Sequence, residues 1–258
     1  MMEDSVSLER NDTIAEIVLN RPGKHNALTP QMVKQIGSVC DEINNDPQIH
    51  VVIIRGAGER AFCAGSDIGA LNDYEDFWAW RNRIDYITPL RNLRKPSIAA
   101  IKGWALGGGF EIALACDLRV ASKTAVFAAP EVTLGWVGAG GAAQHLTRLL
   151  GYGQAMRLLL TGDRIGAEEA FRLGLMEWLV EPGEEVKQAR AIAHTIASHS
   201  TVATQAVKAA VKSAMNGSLE LGFQLENELM ALYFAKAEQD KESVLFKGRK
   251  ADSSPNQA

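Results

Sequence analysis

Two glutamates in otherwise uncharged surroundings are the side chains best suited to chemistry. Glu111 lies in an apolar run that directly follows the three glycines Gly107–Gly109. Glu131 follows a proline, 20 residues after Glu111. Burying a carboxylate among apolar residues costs free energy unless the carboxylate is paired or used. Two carboxylates in different environments suit acid–base catalysis, in which one is ionised and the other protonated.

Both glutamates also have purely structural interpretations. Glu111 could be one half of a buried salt bridge. Glu131 could be an acidic residue at the start of a helix, where it interacts favourably with the helix dipole. Their separation along the chain is too large for helical spacing to align them. Only the tertiary fold could therefore bring the two carboxylates to one site.

Two loops of small residues could supply backbone N–H donors beside these acids. Residues Cys63–Ser66 and Gly107–Gly109 each follow a predicted strand. Glycines let the backbone approach another group closely, and the first N–H groups of a following helix have no partners. Two such donors that converge on one carbonyl oxygen form an oxyanion hole, where loss of one donor costs about 2.7–4 kcal/mol of barrier. Each loop taken alone is also compatible with an ordinary tight turn.

A third glycine-rich loop, Gly138–Ala143, nearly fits the dinucleotide fingerprint G-x-G-x-x-G/A, with Asp163 beyond it. That fingerprint requires a strand directly before the loop and an acid at the end of the next strand. Neither context is predicted here, since Asp163 lies in the turn Thr161–Arg164. A nicotinamide-linked dehydrogenase is kept as an alternative that this loop alone suggests.

Composition excludes several other classes of function. The chain has 258 residues and a formal net charge of −4, which suits one large domain or one domain plus an appendage. No basic block is long enough for a nucleic-acid surface, and no cysteine or histidine spacing indicates a metal site. Three cysteines and an acidic N-terminus without an apolar stretch indicate neither a disulfide framework nor a signal peptide. We expect a cytoplasmic protein with no nucleic-acid or membrane partner.

Alternating strands and helices must position these groups. Periodicity and capping signals predict two strands within Val6–Leu19, a helix from Thr29 to about Asn44, a buried strand at His50–Arg55, a strand at Pro96–Ile101, a helix at Gly107–Cys116, short strands at Leu118–Val120 and Val126–Phe127, and an almost wholly helical pattern from about Glu184.

An aromatic segment runs from Tyr74 to Leu93. Phe77, Trp80, Ile84 and Ile87 recur at helical spacing, which predicts one helix with an apolar face. Core packing is the commoner role of such a face. The alternative is an apolar wall for an acyl group, with Trp136 as a second wall.

Together these segments resemble the crotonase superfamily of enoyl-CoA hydratases and isomerases, from about Ile17 to Lys250. Four motifs in the expected order carry the resemblance: Asn20-Arg-Pro-x-x-x-Asn-Ala-Leu28, Ala61-Phe-Cys-Ala-Gly-Ser-Asp-Ile68, Lys95 to Asp117 with its Trp-Ala-Leu-Gly-Gly-Gly-Phe-Glu centre, and Ala129-Pro-Glu-Val-Thr-Leu-Gly-Trp-Val-Gly-Ala-Gly-Gly141. The resemblance implies an α/β fold, a spiral of repeated ββα units with a helical C-terminal trimerisation region. It assigns residues 1–183 to the catalytic core and residues 184–258 to oligomerisation, as a homotrimer or a hexamer made of two trimers.

The resemblance also implies roles for individual residues. Glu111 and Glu131 match the family's two catalytic glutamates, and the N–H groups of Ser66 and Gly108 match its oxyanion hole. The CoA-binding positions are Lys24, His25, Ala64, Asp67, Ile68, Phe246 and Lys247, of which the last two would reach a neighbouring subunit's CoA. The acyl-pocket positions are Trp78, Trp136 and Gly138.

The implied reaction is hydration of a 2-enoyl-CoA to a 3-hydroxyacyl-CoA, with no cofactor beyond the CoA of the substrate and no metal. Isomerisation, racemisation or C–C cleavage of an acyl-CoA are alternatives within the family. A non-catalytic acyl-CoA-binding or RNA-binding scaffold is an alternative outside it. Val137 stands where many hydratases have proline, and Trp136 precedes it, so the resemblance does not indicate a particular acyl chain.

Overall fold

The computed structural model describes residues 5–70 and 75–239. Within these ranges the strands are, in chain order, β1 (Ser5–Asn11), β2 (Ile14–Asn20), β3 (Val51–Gly56), β4 (Ala61–Cys63), β5 (Ser97–Ile101), β6 (Trp104–Leu106), β7 (Leu118–Ser122), β8 (Val126–Ala128), β9 (Ile165–Gly166) and β10 (Trp178–Val180). The α-helices are α1 (Pro30–Asn45), α2 (Phe77–Arg81), α3 (Ile87–Arg91), α4 (Gly108–Ala115), α5 (Ala142–Leu150), α6 (Tyr152–Thr161), α7 (Ala167–Arg172), α8 (Glu185–Ala197), α9 (Thr201–Ala214) and α10 (Leu219–Gln239).

The larger sheet has six strands in the order β1-β2-β3-β5-β7-β10. The pair β1–β2 is antiparallel and the other neighbours are parallel. Its central strands are rich in valine, isoleucine and alanine, because helices cover both faces of the sheet. Along β3, Val52 and Ile54 pack into the main core, whereas Val51 and Ile53 pack against α8.

The smaller sheet, in the order β4-β6-β8-β9, carries the loops that matter for function. Strands β4, β6 and β8 are parallel neighbours, and β9 pairs antiparallel with β8. The carboxyl ends of neighbouring parallel strands lie at one edge of a sheet. The loops after β4, β6 and β8 therefore emerge side by side, and these loops lead to Ser66, Gly108 and Glu131.

The main sequence-based predictions of helices and strands are confirmed. Thr29 caps α1, since its side chain accepts a hydrogen bond from the Met32 N–H. The strand β5 and the helix α4 lie where the apolar runs around the glycines predict them. The three-residue strands β4 and β6 were not predicted, because the small residues and glycines beside them favour loops at both places.

The prediction of one aromatic helix is wrong. Two five-residue helices, α2 and α3, occupy this segment, with Arg83 and Asp85 between them. Phe77 is 73% exposed and Ile84 is 55% exposed, so these aromatic and aliphatic positions do not form a core face. Only the α3 end of the segment, at Ile87, enters the core.

Packing divides the chain between Gln205 and Ala206. The first unit holds both sheets and α1–α8, and the second holds most of α9 together with α10. The helical tail is confirmed as helical as far as the structure describes it, whereas the functional boundary at residue 183 stays a prediction. None of the helices in the described ranges is both long and apolar enough to cross a lipid bilayer.

Candidate active site

The loops that follow β4 and β6 meet at Gly65 and Gly108. Gly65 has a φ of +95°, a backbone conformation that favours glycine, and a Cβ atom there would lie 3.2 Å from the Gly108 nitrogen. The loop continues into Ser66, while Gly108 begins α4. Among the described residues, neither the Ser66 N–H nor the Gly108 N–H donates to a protein acceptor. Two neighbouring amides are thus available to a carbonyl oxygen.

Glu111 lies in the first turn of α4 and is only 2% exposed. Its Oε1 accepts hydrogen bonds from the backbone N–H groups of Gly140 (2.7 Å) and Ala142 (3.3 Å). Its Oε2 accepts a hydrogen bond from the Tyr86 hydroxyl at 2.9 Å. No basic side chain in the described ranges pairs with this carboxylate, so the buried salt bridge considered from sequence is not formed there. Three neutral donors satisfy Glu111 instead.

Glu131 lies in a 3₁₀ helix, Pro130–Leu134, and is less buried than Glu111. Burial raises the pKa of Glu131, its own backbone N–H lowers it, and the negative charge of Glu111 raises it further. The net pKa is above the ordinary value of a glutamate. The protonated form of Glu131 is therefore favoured by its surroundings.

The two carboxylates flank Gly138. A Cβ atom on Gly138 would lie 3.1 Å from Oε1 of Glu111 and 3.8 Å from Cδ of Glu131. A Cβ atom on Gly107 would lie 3.0 Å from Oε1 of Glu131. The tertiary fold thus brings both glutamates to the loops that also hold the free amides.

These groups open onto one pocket, and most of the predicted site residues line it. The lining includes Ala64, Ser66, Ile68, Gly108, Glu111, Glu131, Trp136 and Gly138. Trp78 is not among the lining residues and is 65% exposed, so the structure does not bring it to the site. Trp80, two positions later, lines the pocket in its place.

Three other predicted CoA-binding positions, Lys24, His25 and Asp67, lie on two loops that are hydrogen-bonded to each other. The N–H of Ala64 donates to the carbonyl of His25, and Asp67 pairs with Arg21 at 2.7 Å. His25 has a φ of +53° and stacks on Trp104 at 4.7 Å between ring centroids. Lys24 is exposed at the end of the 3₁₀ helix Pro22–Lys24. The predicted positions Phe246 and Lys247 lie outside the described residues.

Sequence reasoning missed three polar contributors to the site. The Tyr86 hydroxyl and the Gly140 and Ala142 amides contact Glu111 directly. The glycines around position 140 signalled free amides, but their nearest sequence match was a dinucleotide loop. No strand precedes that loop, because Pro130–Leu134 is a 3₁₀ helix. For Tyr86 the sequence carried no signal of a contact with a glutamate 25 residues away.

The described residues contain no group of three or more histidine, cysteine, aspartate or glutamate side chains that could hold a metal ion. The site brings together the Ser66 and Gly108 amides, two carboxylates, one phenol and the two amides that hold Glu111. Such a set can polarise a carbonyl oxygen and move protons at adjacent atoms.

Comparison with known proteins gives consistent matches over nearly the whole chain. Residues 9–252 match the sequence model of the enoyl-CoA hydratase/isomerase family. The chain is 37% identical over 259 residues to a short-chain-enoyl-CoA hydratase of Clostridium acetobutylicum, covering 98% of each protein. It is 39% identical over 219 residues to the (E)-benzylidenesuccinyl-CoA hydratase of Thauera aromatica, covering 84% of this chain and 86% of that one.

The fold agrees with these matches. The crystal structure of an enoyl-CoA hydratase from Bacillus anthracis superposes with a TM-score of 0.83 at 33% identity, covering 95% of this chain and 99% of that one. The crystal structure of an enoyl-CoA hydratase from Mycobacterium tuberculosis gives a TM-score of 0.82 at 33% identity, covering 93% and 97%. The crotonase-like α/β fold indicated by the four sequence motifs is confirmed. The chain belongs to the enoyl-CoA hydratase/isomerase family, that is, to the crotonase superfamily of enzymes.

Proposed function

We propose that this enzyme adds water across the 2,3-double bond of a 2-enoyl-CoA thioester to give a 3-hydroxyacyl-CoA. One observation carries the proposal: an ionisable pair, Glu111 and Glu131, faces the same pocket as two unpartnered backbone amides. Relatives named as hydratases of short-chain-enoyl-CoA and crotonyl-CoA support the same reaction. The substrate is an acyl-CoA.

The amides of Ser66 and Gly108 provide the electrophilic half of the reaction. The thioester oxygen accepts hydrogen bonds from both N–H groups, which draws electron density from C3 of the conjugated system. As water attacks C3, negative charge builds up on that oxygen and strengthens both hydrogen bonds. Because the donors are backbone groups, a serine at position 66 serves as well as a smaller residue.

Glu111 acts as the base. Its carboxylate already accepts three hydrogen bonds from neutral donors. A carboxylate has about four acceptor positions, so one remains for a water molecule in the pocket. Glu111 takes a proton from this water while the water oxygen bonds to C3.

Glu131 acts as the acid. Burial and the neighbouring negative charge raise its pKa, which favours the protonated form that an acid needs. It gives this proton to C2 as the electron pair returns from the thioester oxygen. The proton gained by Glu111 then replaces the one lost by Glu131, and the enzyme is restored. Nothing is oxidised or reduced, so the proposal requires no cofactor beyond the CoA of the substrate.

Replacing each glutamate in turn tests the assignment. We expect Glu111→Gln and Glu131→Gln each to lower the rate of crotonyl-CoA hydration by about 10²–10⁴-fold, the usual contribution of a general acid or base. The rate is followed as loss of the conjugated-thioester absorbance. Glu220→Gln, on the exposed surface of α10, is the matched control and keeps wild-type activity. Wild-type turnover in either active-site variant would contradict the mechanism.

A labelling experiment separates hydration from isomerisation. A 2-enoyl-CoA and a 3-enoyl-CoA are incubated with the enzyme in ¹⁸O-water, and the products are analysed by mass spectrometry. Hydration places the label on C3 of the product, whereas isomerisation incorporates none. Unlabelled, rearranged products from both substrates would replace the hydratase proposal with an isomerase.

We propose that the enzyme is a homotrimer or a hexamer of two trimers. The second unit exposes many apolar side chains along α9 and α10, among them Val207, Val211, Leu219, Leu221, Phe223, Met230 and Leu232. Exposed apolar surface of this extent is typical of a face that another protein chain covers. A second copy of this chain is the occupant that the family resemblance supports.

We also propose a cytoplasmic location. Cys40, Cys63 and Cys116 are buried thiols that form no disulfide bond in the described part of the chain, as expected in a reducing compartment. Burial raises the pKa of the Cys40 and Cys63 thiols to about 12, so both remain protonated and unreactive. Fractionation of cells that express the chain with its natural termini tests this location.

A further inference from the structure

Tyr86 is held firmly at the wall of the pocket. It is the residue that precedes α3, whose Ile87 and Leu90 are buried in the core. The Asp85 carboxylate accepts hydrogen bonds from the N–H groups of Ile87 (2.7 Å) and Thr88 (3.0 Å). Since α3 also packs against α4, the backbone of Tyr86 has a fixed position relative to the helix that carries Glu111.

The Tyr86 hydroxyl lies between the base and the oxyanion amides. It donates to Oε2 of Glu111 at 2.9 Å. A Cβ atom on Gly108 would lie 2.4 Å from the same hydroxyl oxygen, so the hydroxyl directly overlies this glycine. The Ser66 side chain is a further hydrogen-bonding neighbour of the hydroxyl. One phenol thus touches each part of the site except Glu131.

The surroundings of Tyr86 favour the protonated form of its phenol. Burial raises the pKa of Tyr86, and the charge of Glu111 raises it further, while Ser66 opposes the rise slightly. The ionisable groups that face Tyr86 are Glu111 on α4 and Cys63 on β4. Arg83, on the segment before α3, and Glu131 line the same pocket. A neutral phenol beside a carboxylate can only donate to it.

We propose that Tyr86 is a positioning residue for the base: its hydroxyl fixes Oε2 of Glu111 so that one lone pair of that oxygen faces the attacking water. The two amides of Gly140 and Ala142 hold Oε1 from the loop side, and Tyr86 holds Oε2 from α3. Together these donors stop rotation of the carboxylate about its last bond. The inference rests on the proposed role of Glu111 as base.

Removal of the hydroxyl releases Oε2 of the Glu111 carboxylate from its anchor. Misplacing a catalytic group by about 1 Å can cost about 10²-fold in rate. A residue that only fills space would not change the orientation of this carboxylate.

The test compares Tyr86→Phe with the wild-type enzyme on crotonyl-CoA. We expect kcat to fall by about 10–100-fold, and KM to stay within about twofold because the proposal gives the hydroxyl no part in binding CoA. Tyr152→Phe removes one hydroxyl from an exposed position on α6 and is the matched control. Thermal unfolding of both variants verifies that they are folded.

A double-mutant cycle with Glu111→Gln identifies the residue through which Tyr86 acts. In the Glu111→Gln background we expect Tyr86→Phe to change kcat by less than about twofold, because the group that it positions is already gone. Equal losses of kcat in both backgrounds, or a Tyr86→Phe variant that keeps the wild-type kcat, would overturn the inference. A wild-type enzyme that does not hydrate any enoyl-CoA would instead overturn the proposed function, so the two failures are distinguishable.

Discussion

The loop around Gly140 leaves no room for a side chain, because Glu111 fills the space. A Cβ atom on Gly140 would lie 2.2 Å from Oε2 and 2.6 Å from Cδ of Glu111. These distances are far inside van der Waals contact. Position 140 therefore requires glycine because a side chain there would collide with the Glu111 carboxylate, which the Gly140 amide binds. The backbone angles of Gly140 do not impose this requirement.

We expect Gly140→Ala to displace the Glu111 carboxylate and to lower kcat for crotonyl-CoA hydration by about 10²-fold. The Cβ atom would also lie 2.8 Å from Cγ1 of the buried Ile87, so that core side chain must shift as well, and thermal unfolding is used to verify that the variant is folded. Gly153→Ala is the matched control, since a Cβ atom there meets nothing within 4 Å. The kcat of both variants is measured by steady-state kinetics. A Gly140→Ala enzyme with wild-type kcat would contradict the prediction, because it would show that Glu111 tolerates displacement.

At the level of single residues, the sequence predicted that the two glutamates and both glycine loops belong to the site, and the structure brings them together. It did so because a lone acid in an apolar run and a cluster of glycines are each unusual enough to notice. Tyr86 could not be found this way, because a tyrosine among tryptophans has the same pattern whether it packs or donates. Trp78 was chosen over Trp80 because their order in the chain does not tell which indole faces inward.

Among the elements, β2, β3 and α8 are tied together by one buried acid. Glu16 on β2 is 3% exposed and pairs with Arg55 on β3 and Arg190 on α8, each at 2.6 Å. Burial opposes the charge of Glu16, but hydrogen bonds from Arg190 and Arg55 outweigh it, so the pKa of Glu16 lies below its usual value. The interaction holds α8 onto the sheet face where Ala189 and Ala193 pack.

We expect Glu16→Gln to lower the free energy of unfolding by about 1–3 kcal/mol at pH 7, since both arginines lose their shared anion. A depressed carboxyl pKa contributes stability above the unfolded value, about 4.3, and loses it as the pH falls toward the folded value. The difference between variant and wild type should therefore shrink in acid. Urea unfolding at pH 7 and pH 4 measures both effects.

Glu184→Gln is the control for this experiment, because Glu184 and Lys187 form an exposed pair within one turn of a helix. We expect it to change the unfolding free energy by less than about 0.5 kcal/mol. A Glu16→Gln penalty that is equally small, or that grows in acid, would contradict the role assigned to Glu16.

Element boundaries followed from the sequence where a cap or a run of apolar residues marks them, as for α1 and β5. The structure of the aromatic segment could not be predicted in this way, because bulky residues at helical spacing also occur in the wall of a pocket. Phe77, Trp78 and Trp80 are exposed, and Ile87, Leu90 and Leu93 anchor the end of the segment in the core. Whether such side chains pack in the core or line a pocket depends on the residues that face them in the fold, and hydrophobic periodicity carries no information about those residues.

For the whole molecule, the exposed apolar surface of α10 leads to a prediction about assembly. We expect the wild-type protein to elute at three or six times its chain mass of 28.0 kDa in size-exclusion chromatography with light scattering. Phe223→Glu should shift it toward smaller species, because a charge on a covered apolar face is costly to bury. Phe223 is 54% exposed within one chain.

Gln224→Glu places the same charge on the neighbouring exposed polar position and is the matched control. We expect it to leave the molecular mass unchanged. A wild-type protein that is monomeric at micromolar concentration would contradict the proposed assembly. Equal dissociation in both variants would show that charge alone, rather than the apolar contact, governs it.

The sequence by itself determined the family, because four motifs in a fixed order are highly specific, and it determined which residues carry charge or lack side chains. It also determined the alternation of strands and helices, since hydrophobic periodicity is a local property of the chain. Only the tertiary structure decided that Glu111 and Glu131 flank Gly138, that Glu131 is the one whose pKa is raised, and that Tyr86 completes the environment of the base. Distances between segments far apart in the chain, and the burial that sets proton affinities, arise only when the sheets bring those segments together.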